Sequence, residues 1–101
     1  MELTVTDRPA ERRYEARDGA ATAGFAEYIR TDEMVVFTHT EVDPSYEGKG
    51  VGSALVRGAL DDVRTHGLSV LPLCPFVKGW IQRHREYADM VYRQPPSRVT
   101  D

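Results

Sequence analysis

Glu47-Gly48-Lys49-Gly50-Val51-Gly52-Ser53 is the segment whose residue types and spacing most directly imply chemistry. Glycines at alternate positions leave no side chains between the backbone and a bulky anion. The segment follows a β-branched, aromatic run from Met34 to Val42 and passes directly into an amphipathic stretch that begins at Val51. A strand that ends in glycines and opens into a helix leaves N–H groups without acceptors at the helix start. Those donors, together with the helix dipole, make a phosphate site. Gly48, Gly50 and Gly52, with Lys49, Val51 and Ser53, are expected to present them. Lys49 can add its ammonium and Ser53 its hydroxyl.

Three further side chains have reactive chemistry close to that loop in sequence or in the expected fold. His39 and Glu41 alternate on one face of the strand that enters the loop, with Thr40 on the other. An imidazole or carboxylate there can accept a proton, directly or through water, and the alternative is a surface cross-strand pair. Cys74 ends a later apolar run and immediately precedes Pro75, a helix start. It is placed to act as a nucleophile, to line a pocket, or to pack as a small hydrophobe.

These groups need a scaffold, and the chain supplies one in order. Residues 1–9 are polar and read as a short lead-in to a domain over 10–92, with a polar tail over 93–101. Arg12 to Arg17 alternates weakly, Asp18-Gly19 signals a hairpin, and Thr22 to Arg30 alternates more clearly. Met34 to Val42 is the longest strand signal, so three antiparallel strands come first. Val51, Ala54, Leu55, Gly58, Ala59 and Val63 then recur at helical spacing, and His66-Gly67 closes that helix. Leu68 to Cys74 reads as a buried strand in which Pro72 withholds a ladder bond. A second helix runs from Pro75 to about Arg85, and Glu86 to Tyr92 forms a closing strand or turn. The expected class is α/β: three antiparallel strands followed by a β-α-β-α unit around the glycine loop.

The bulk properties fit one soluble domain. The chain has 101 residues, 41% hydrophobic and 29% charged. A net charge of −3 argues against a nucleic-acid binder, and nearly all the positive charge is arginine, since Lys49 and Lys78 are the two lysines. No apolar run suggests a membrane span, and a single cysteine fits a reducing, cytoplasmic setting. His39, His66 and His84 are scattered, so no metal is expected. A monomer or weak homodimer is expected.

Three phosphate-loop types compete for the glycine segment. A P-loop needs a hydroxyl residue directly after its lysine, and Gly50 follows Lys49. A dinucleotide-binding turn needs a third glycine where Ser53 stands, and an acid at the end of the next strand, which instead reads Leu71-Pro72-Leu73-Cys74. The third type, the acetyl-coenzyme A loop between a strand and a helix, fits Gly50 and Gly52, although Glu47 stands where Arg or Gln is usual. With Thr40-Glu41-Val42 before the loop and Leu73-Cys74-Pro75-Phe76-Val77 after it, the chain resembles the small, roughly hundred-residue GNAT-type N-acetyltransferases. The resemblance runs from about Arg12 to Val91.

That resemblance implies acetyl-coenzyme A as co-substrate and an amine as acceptor. The cofactor would be held by Thr40, Val42 and the loop from Glu47 to Ser53. In the GNAT arrangement the strand before the loop splays from the next one and the pantetheine arm lies in the gap. Backbone donors near Glu41 and Val42 would hold the thioester carbonyl, Glu41 or His39 would take the amine proton, and Cys74 would line the gap or carry the acetyl group. The N-terminal helices that usually build the acceptor site of larger relatives have no counterpart here. A non-catalytic acyl-coenzyme A binding module is the rival expectation.

Overall fold

The computed structural model describes residues 1–93, so most of the expected polar tail lies outside the described residues. Five strands form one sheet in chain order: β1 (Leu3–Arg8), β2 (Arg13–Asp18), β3 (Ala21–Arg30), β4 (Met34–Val42) and β5 (Ser69–Pro72). The first four are antiparallel neighbours, and β5 runs parallel to β4 after a crossover through helix α1 (Val51–Thr65). Helix α2 (Pro75–Arg83) follows β5, and a 3-10 turn over Arg85–Met90 comes after it.

The expected α/β class and the order of the main elements hold, with one strand added. Residues 3–8, read from the sequence as a lead-in, form β1 and pair with β2 along its whole length. The alternation was concealed by Asp7, a charged residue at an inward position. It is accommodated there because Tyr28 donates its hydroxyl to Asp7 Oδ1 at 2.6 Å. Val5 also lies against Gly58 of α1, where a Cβ would fall 2.6 Å from it, so the helix sits close down on this edge strand.

α1 buries Val51, Leu55, Val56, Ala59, Leu60 and Val63; Val56 and Leu60 thus join the expected stripe, while Ala54 and Gly58 are half-buried. That stripe meets Tyr14, Ala16, Ala26, Tyr28, Val35 and Phe37 from the sheet. Tyr14 reaches beyond the core and donates to Asp62 Oδ2 at 2.7 Å, fixing the sheet to the helix. α2 adds Val77, Trp80 and Ile81 to the same core, and Trp80 Nε1 donates to Ser53 Oγ of α1 at 2.9 Å. The Glu86–Tyr92 segment is chiefly 3-10 turn, with a single bridge from Val91 to Val70.

Both helices thus lie on one side of the sheet. The opposite side carries Arg13, Glu15, Arg17, Phe25, Glu27, Ile29, His39 and Glu41, and no element packs over it among the described residues. Glu15 is nevertheless 3% exposed, because Arg13, Arg17 and Arg8 close over it.

Candidate functional site

The site is built from an asymmetry in β4. It stays paired with β3 as far as Val42, opposite Gly24, whereas its pairing with β5 covers only Met34–Phe37 against Ser69–Pro72. The parallel pairing stops at Pro72, the residue that lacks an N–H. Leu73 and Cys74 both donate to the Phe37 carbonyl, at 3.0 and 2.9 Å, and the chain then turns away into α2. The last residues of β4 therefore face a gap.

Which backbone groups face it follows from the antiparallel alternation. The Asp43 N–H donates to Ala23 O at 2.8 Å, so Asp43 and Glu41 direct their backbone groups to β3. Thr40 and Val42 point the other way, into the gap. The backbone donors that open onto the gap are thus those of Thr40 and Val42, which flank Glu41.

The loop after β4 is pinned at two points. Asp43 Oδ1 accepts from Ser45 N at 2.9 Å and Ser45 Oγ at 2.6 Å, bonds that hold its carboxyl below the usual range and start the turn Pro44–Tyr46. Tyr46 donates its hydroxyl to Asp18 Oδ2 at 2.8 Å, tying the loop to the β2–β3 hairpin. Gly50 then takes φ +77°, a conformation that side-chain-bearing residues adopt at a cost, and the first α1 bond runs from Ala54 N to Gly50 O at 3.1 Å. The N–H groups of Val51, Gly52 and Ser53 are left as free donors at the helix start.

One loop expectation needs correction. The Lys49 N–H donates to Tyr46 O at 3.2 Å and closes the turn, so it is not available to a ligand. The Ser53 oxygen accepts from Trp80 Nε1 and thereby joins α1 to α2, which leaves both its O–H and its backbone N–H as donors. Lys49 Nζ lies 5.8 Å from the Tyr46 ring centroid, at the loop edge. Glu47 is exposed and brings a negative charge beside the donors.

A cavity of about 300 Å³ opens over these groups, lined by Val42, Tyr46, the glycine loop, Ser53 and Phe76. Phe76 is its wall from α2. A Cβ on Gly52 would meet Phe76 Cζ at 2.7 Å, so Gly52 lets the ring and the helix start come together. The free donors, the helix dipole and an apolar wall suit a pyrophosphate joined to an apolar arm. They fit acetyl-coenzyme A. Among the described residues no cluster of three potential ligands could hold a metal ion.

The three reactive side chains do not converge. Cys74, 4% exposed, caps α2 on the helix side, and its Sγ lies 3.3 Å from Thr40 Oγ1 across the gap. His39 and Glu41 stand on the open face, with Nε2 3.3 Å from Oε1 and both more than half exposed. A bulge separates the two pairs from the buried part of β4: Phe37 pairs with Tyr28 and His39 with Glu27, leaving Thr38 as the extra residue. It turns His39 and Glu41 outward although they share parity with buried Val35 and Phe37.

The open face holds a second cavity, of about 510 Å³, lined by Arg13, Thr22, Gly24, Phe25, Glu41, Val42, Asp43 and Pro44. The sequence reading assigned no role to Arg13 or Phe25. The available signal was Arg13-x-Glu15-x-Arg17, an alternation of charges on a strand half of which is buried.

Comparison with known proteins follows the same geometry. The family model described as GCN5-related N-acetyl-transferase matches residues 13–90. A GCN5-like protein of Staphylococcus aureus superposes with a TM-score of 0.68 at 21% identity, covering 92% of this chain and 91% of that one. The ribosomal-protein-S18-alanine N-acetyltransferase of Escherichia coli gives 0.61 at 18% identity, over 73% of this chain and 52% of that enzyme. The ribosomal-protein-alanine N-acetyltransferase of Brucella melitensis gives 0.56 at 19% identity, over 88% and 67%. No curated protein sequence matches the chain significantly. No described helix is long and apolar enough to cross a membrane.

Proposed function

Because the chain belongs to the GCN5-related N-acetyltransferase family, we infer that it moves the acetyl group of acetyl-coenzyme A to an amine by direct attack. The carrying observation is the gap at the end of β4. Free helix-start donors lie at one end of it, and a carboxylate–imidazole pair stands on the adjoining open face.

In this reading the N–H groups of Val51, Gly52 and Ser53, with those of Gly48 and Gly50, hold the pyrophosphate. Thr40 and Val42 line the pantetheine path, and their backbone donors hold the carbonyl oxygen as it gains charge. The neutral amine enters from the open face, and its nitrogen bonds to the carbonyl carbon. Glu41, alone or through His39, takes the nitrogen's proton. The carbon–sulfur bond then breaks, and coenzyme A leaves as a thiolate that is protonated from water. Cys74, on the helix side with Thr40, lines the thioester pocket rather than receiving the acetyl group.

The test is calorimetric titration of acetyl-coenzyme A and coenzyme A into the wild type and a Gly50→Glu variant, followed by an amine screen. Micromolar binding in the wild type, lost in the variant, supports the loop as the cofactor site. Binding without turnover on any amine would favour an acyl-coenzyme A binding module. No binding at all would overturn the proposal.

A further inference from the structure

We propose that the acceptor is a small amine that also carries an anionic group, its amine placed at Glu41 and its anion at Arg13; this rests on the acetyl-transfer reading above. α1 and α2 cover one side of the sheet, so an acceptor reaches the gap from the other. The cavity of about 510 Å³ lies on that side and joins Glu41 and Val42, at the gap, to Arg13 on β2.

The charges on its walls are unequal. Glu15 is contacted by three guanidiniums: Arg13 Nη2 at 2.7 Å, Arg17 Nη1 at 3.1 Å and Arg8 Nη1 at 4.0 Å. Arg8 also reaches Glu11 at 3.6 Å, whereas Arg13 and Arg17 have no second carboxylate among the described residues. Glu27 is the cross-strand neighbour of Arg13 and forms no ion pair with it. Arg13 is the one cation among the lining residues of this cavity, whose carboxylates are Glu41 and Asp43.

Arg13 is also pre-positioned. Its Nε and Nη2 are held by Glu15 Oε2 at 2.8 and 2.7 Å, and its guanidinium carbon lies 4.4 Å from the Phe25 ring centroid. Nη1 makes no hydrogen bond among the described residues. A planar fork with a free donor, fixed on an aromatic floor, suits a carboxylate. At the other wall, Asp43 Oδ1 accepts two bonds from Ser45, and Glu41 is the carboxylate placed at the gap for the incoming amine.

The spacing narrows the class further. β2 and β4 are separated by β3, and Arg13 is in register with His39, two residues from Glu41, so Arg13 and Glu41 stand about 12 Å apart at the backbone. Side chains reaching inward leave room for several bonds between amine and anion, as in an ω-amino carboxylate. A polyamine would set a second cation against Arg13.

The experiment compares δ-aminovalerate, n-butylamine and an alanine-initiated peptide as acceptors, following release of free thiol from acetyl-coenzyme A. In the wild type kcat/KM for δ-aminovalerate should exceed that for n-butylamine by about tenfold, the value of one charge-assisted pair. In Arg13→Gln the ratio should fall toward one, and in Arg13→Lys, which keeps the charge without the fork, it should be intermediate. A wild-type ratio of one or less, a preference for the peptide, or a ratio unmoved in a folded Arg13→Gln overturns the proposal while leaving acetyl transfer intact. Absence of thiol release with all three amines overturns both.

Discussion

Cys74 Sγ lies 3.3 Å from Thr40 Oγ1 and on the opposite side of β4 from Glu41. The thiol is thus enclosed on the helix side and the carboxylate is open on the other. On the proposed mechanism an amine arriving beside Glu41 meets the thioester without first crossing to the thiol.

Replacement of Cys74 by Ala therefore distinguishes the two chemical routes. Direct attack predicts that kcat stays within about tenfold of the wild type, the difference arising from altered packing at Thr40. A covalent acetyl-cysteine route predicts near-complete loss of turnover and a trapped acetyl group in the wild type, detectable by mass spectrometry after rapid quench.

Glu41→Gln removes the proton acceptor while keeping the side chain's size. On the proposed mechanism kcat/KM falls by about 10²- to 10⁴-fold near neutral pH. Coenzyme A affinity, measured by calorimetry, stays the same because Glu41 points away from the loop. An unchanged rate would move the base to His39 or to water.

Gly52→Ala places a methyl group where Phe76 Cζ stands, at 2.7 Å. Phe76 is 41% exposed and is displaced at small cost, so the melting temperature should move by only a few degrees. The ring is a wall of the loop cavity, however, and coenzyme A binding should weaken about tenfold. Adding Phe76→Ala should restore part of it; no recovery would mean that Gly52 acts through the backbone alone.

The fold's response to acid should centre on Glu15. Burial by itself would raise its carboxyl, but hydrogen bonds from Arg13 and Arg17, with the charges of Arg13 and Arg8, outweigh it and hold the group below the usual range. Its stabilisation is complete above the unfolded value of about 4.3 and is lost as pH falls through the lower, folded one. The urea midpoint should decline below about pH 4 in the wild type, and the acid limb should flatten in Glu15→Gln.

Alkali should act on the buried tyrosines. Burial first, then the bonds to Asp62 and Asp7, push the phenols of Tyr14 and Tyr28 up. Their stabilisation is full below about pH 10 and is lost as pH rises toward the folded values. At neutral pH Tyr14→Phe removes the bond between β2 and Asp62 and should cost about 1–2 kcal/mol in urea unfolding.

Much of this architecture was legible in the residues themselves. The helix over α1, the strand-to-helix turn at the glycine loop, the Asp18-Gly19 hairpin and the disruption at Pro72 each rest on a local rule, and each is present in the fold. β1 was missed because its inward positions carry Asp7, whose partner Tyr28 is twenty-one residues away. The engaged Ser53 hydroxyl and the Arg13–Phe25 wall depend on contacts between distant elements, which no local spacing encodes.

Thr38 has a consequence that reaches beyond its own position. A strand assigns its residues to two sides by strict counting, and one supernumerary residue resets the count. β4 can thereby spend its first half on the interior and its second on solvent while keeping hydrophobic and charged residues at the same parity. Deleting Thr38 would remove the extra residue and leave His39 and Glu41 outside, whereas deleting Val36 would make Val35 and Phe37 neighbours and set them on opposite sides of the sheet, with every amino acid of the site still present. Such a chain would keep the composition of the site and lose the sidedness of the strand that carries it, so deletions in β4 away from position 38 should be far less forgiving than substitutions.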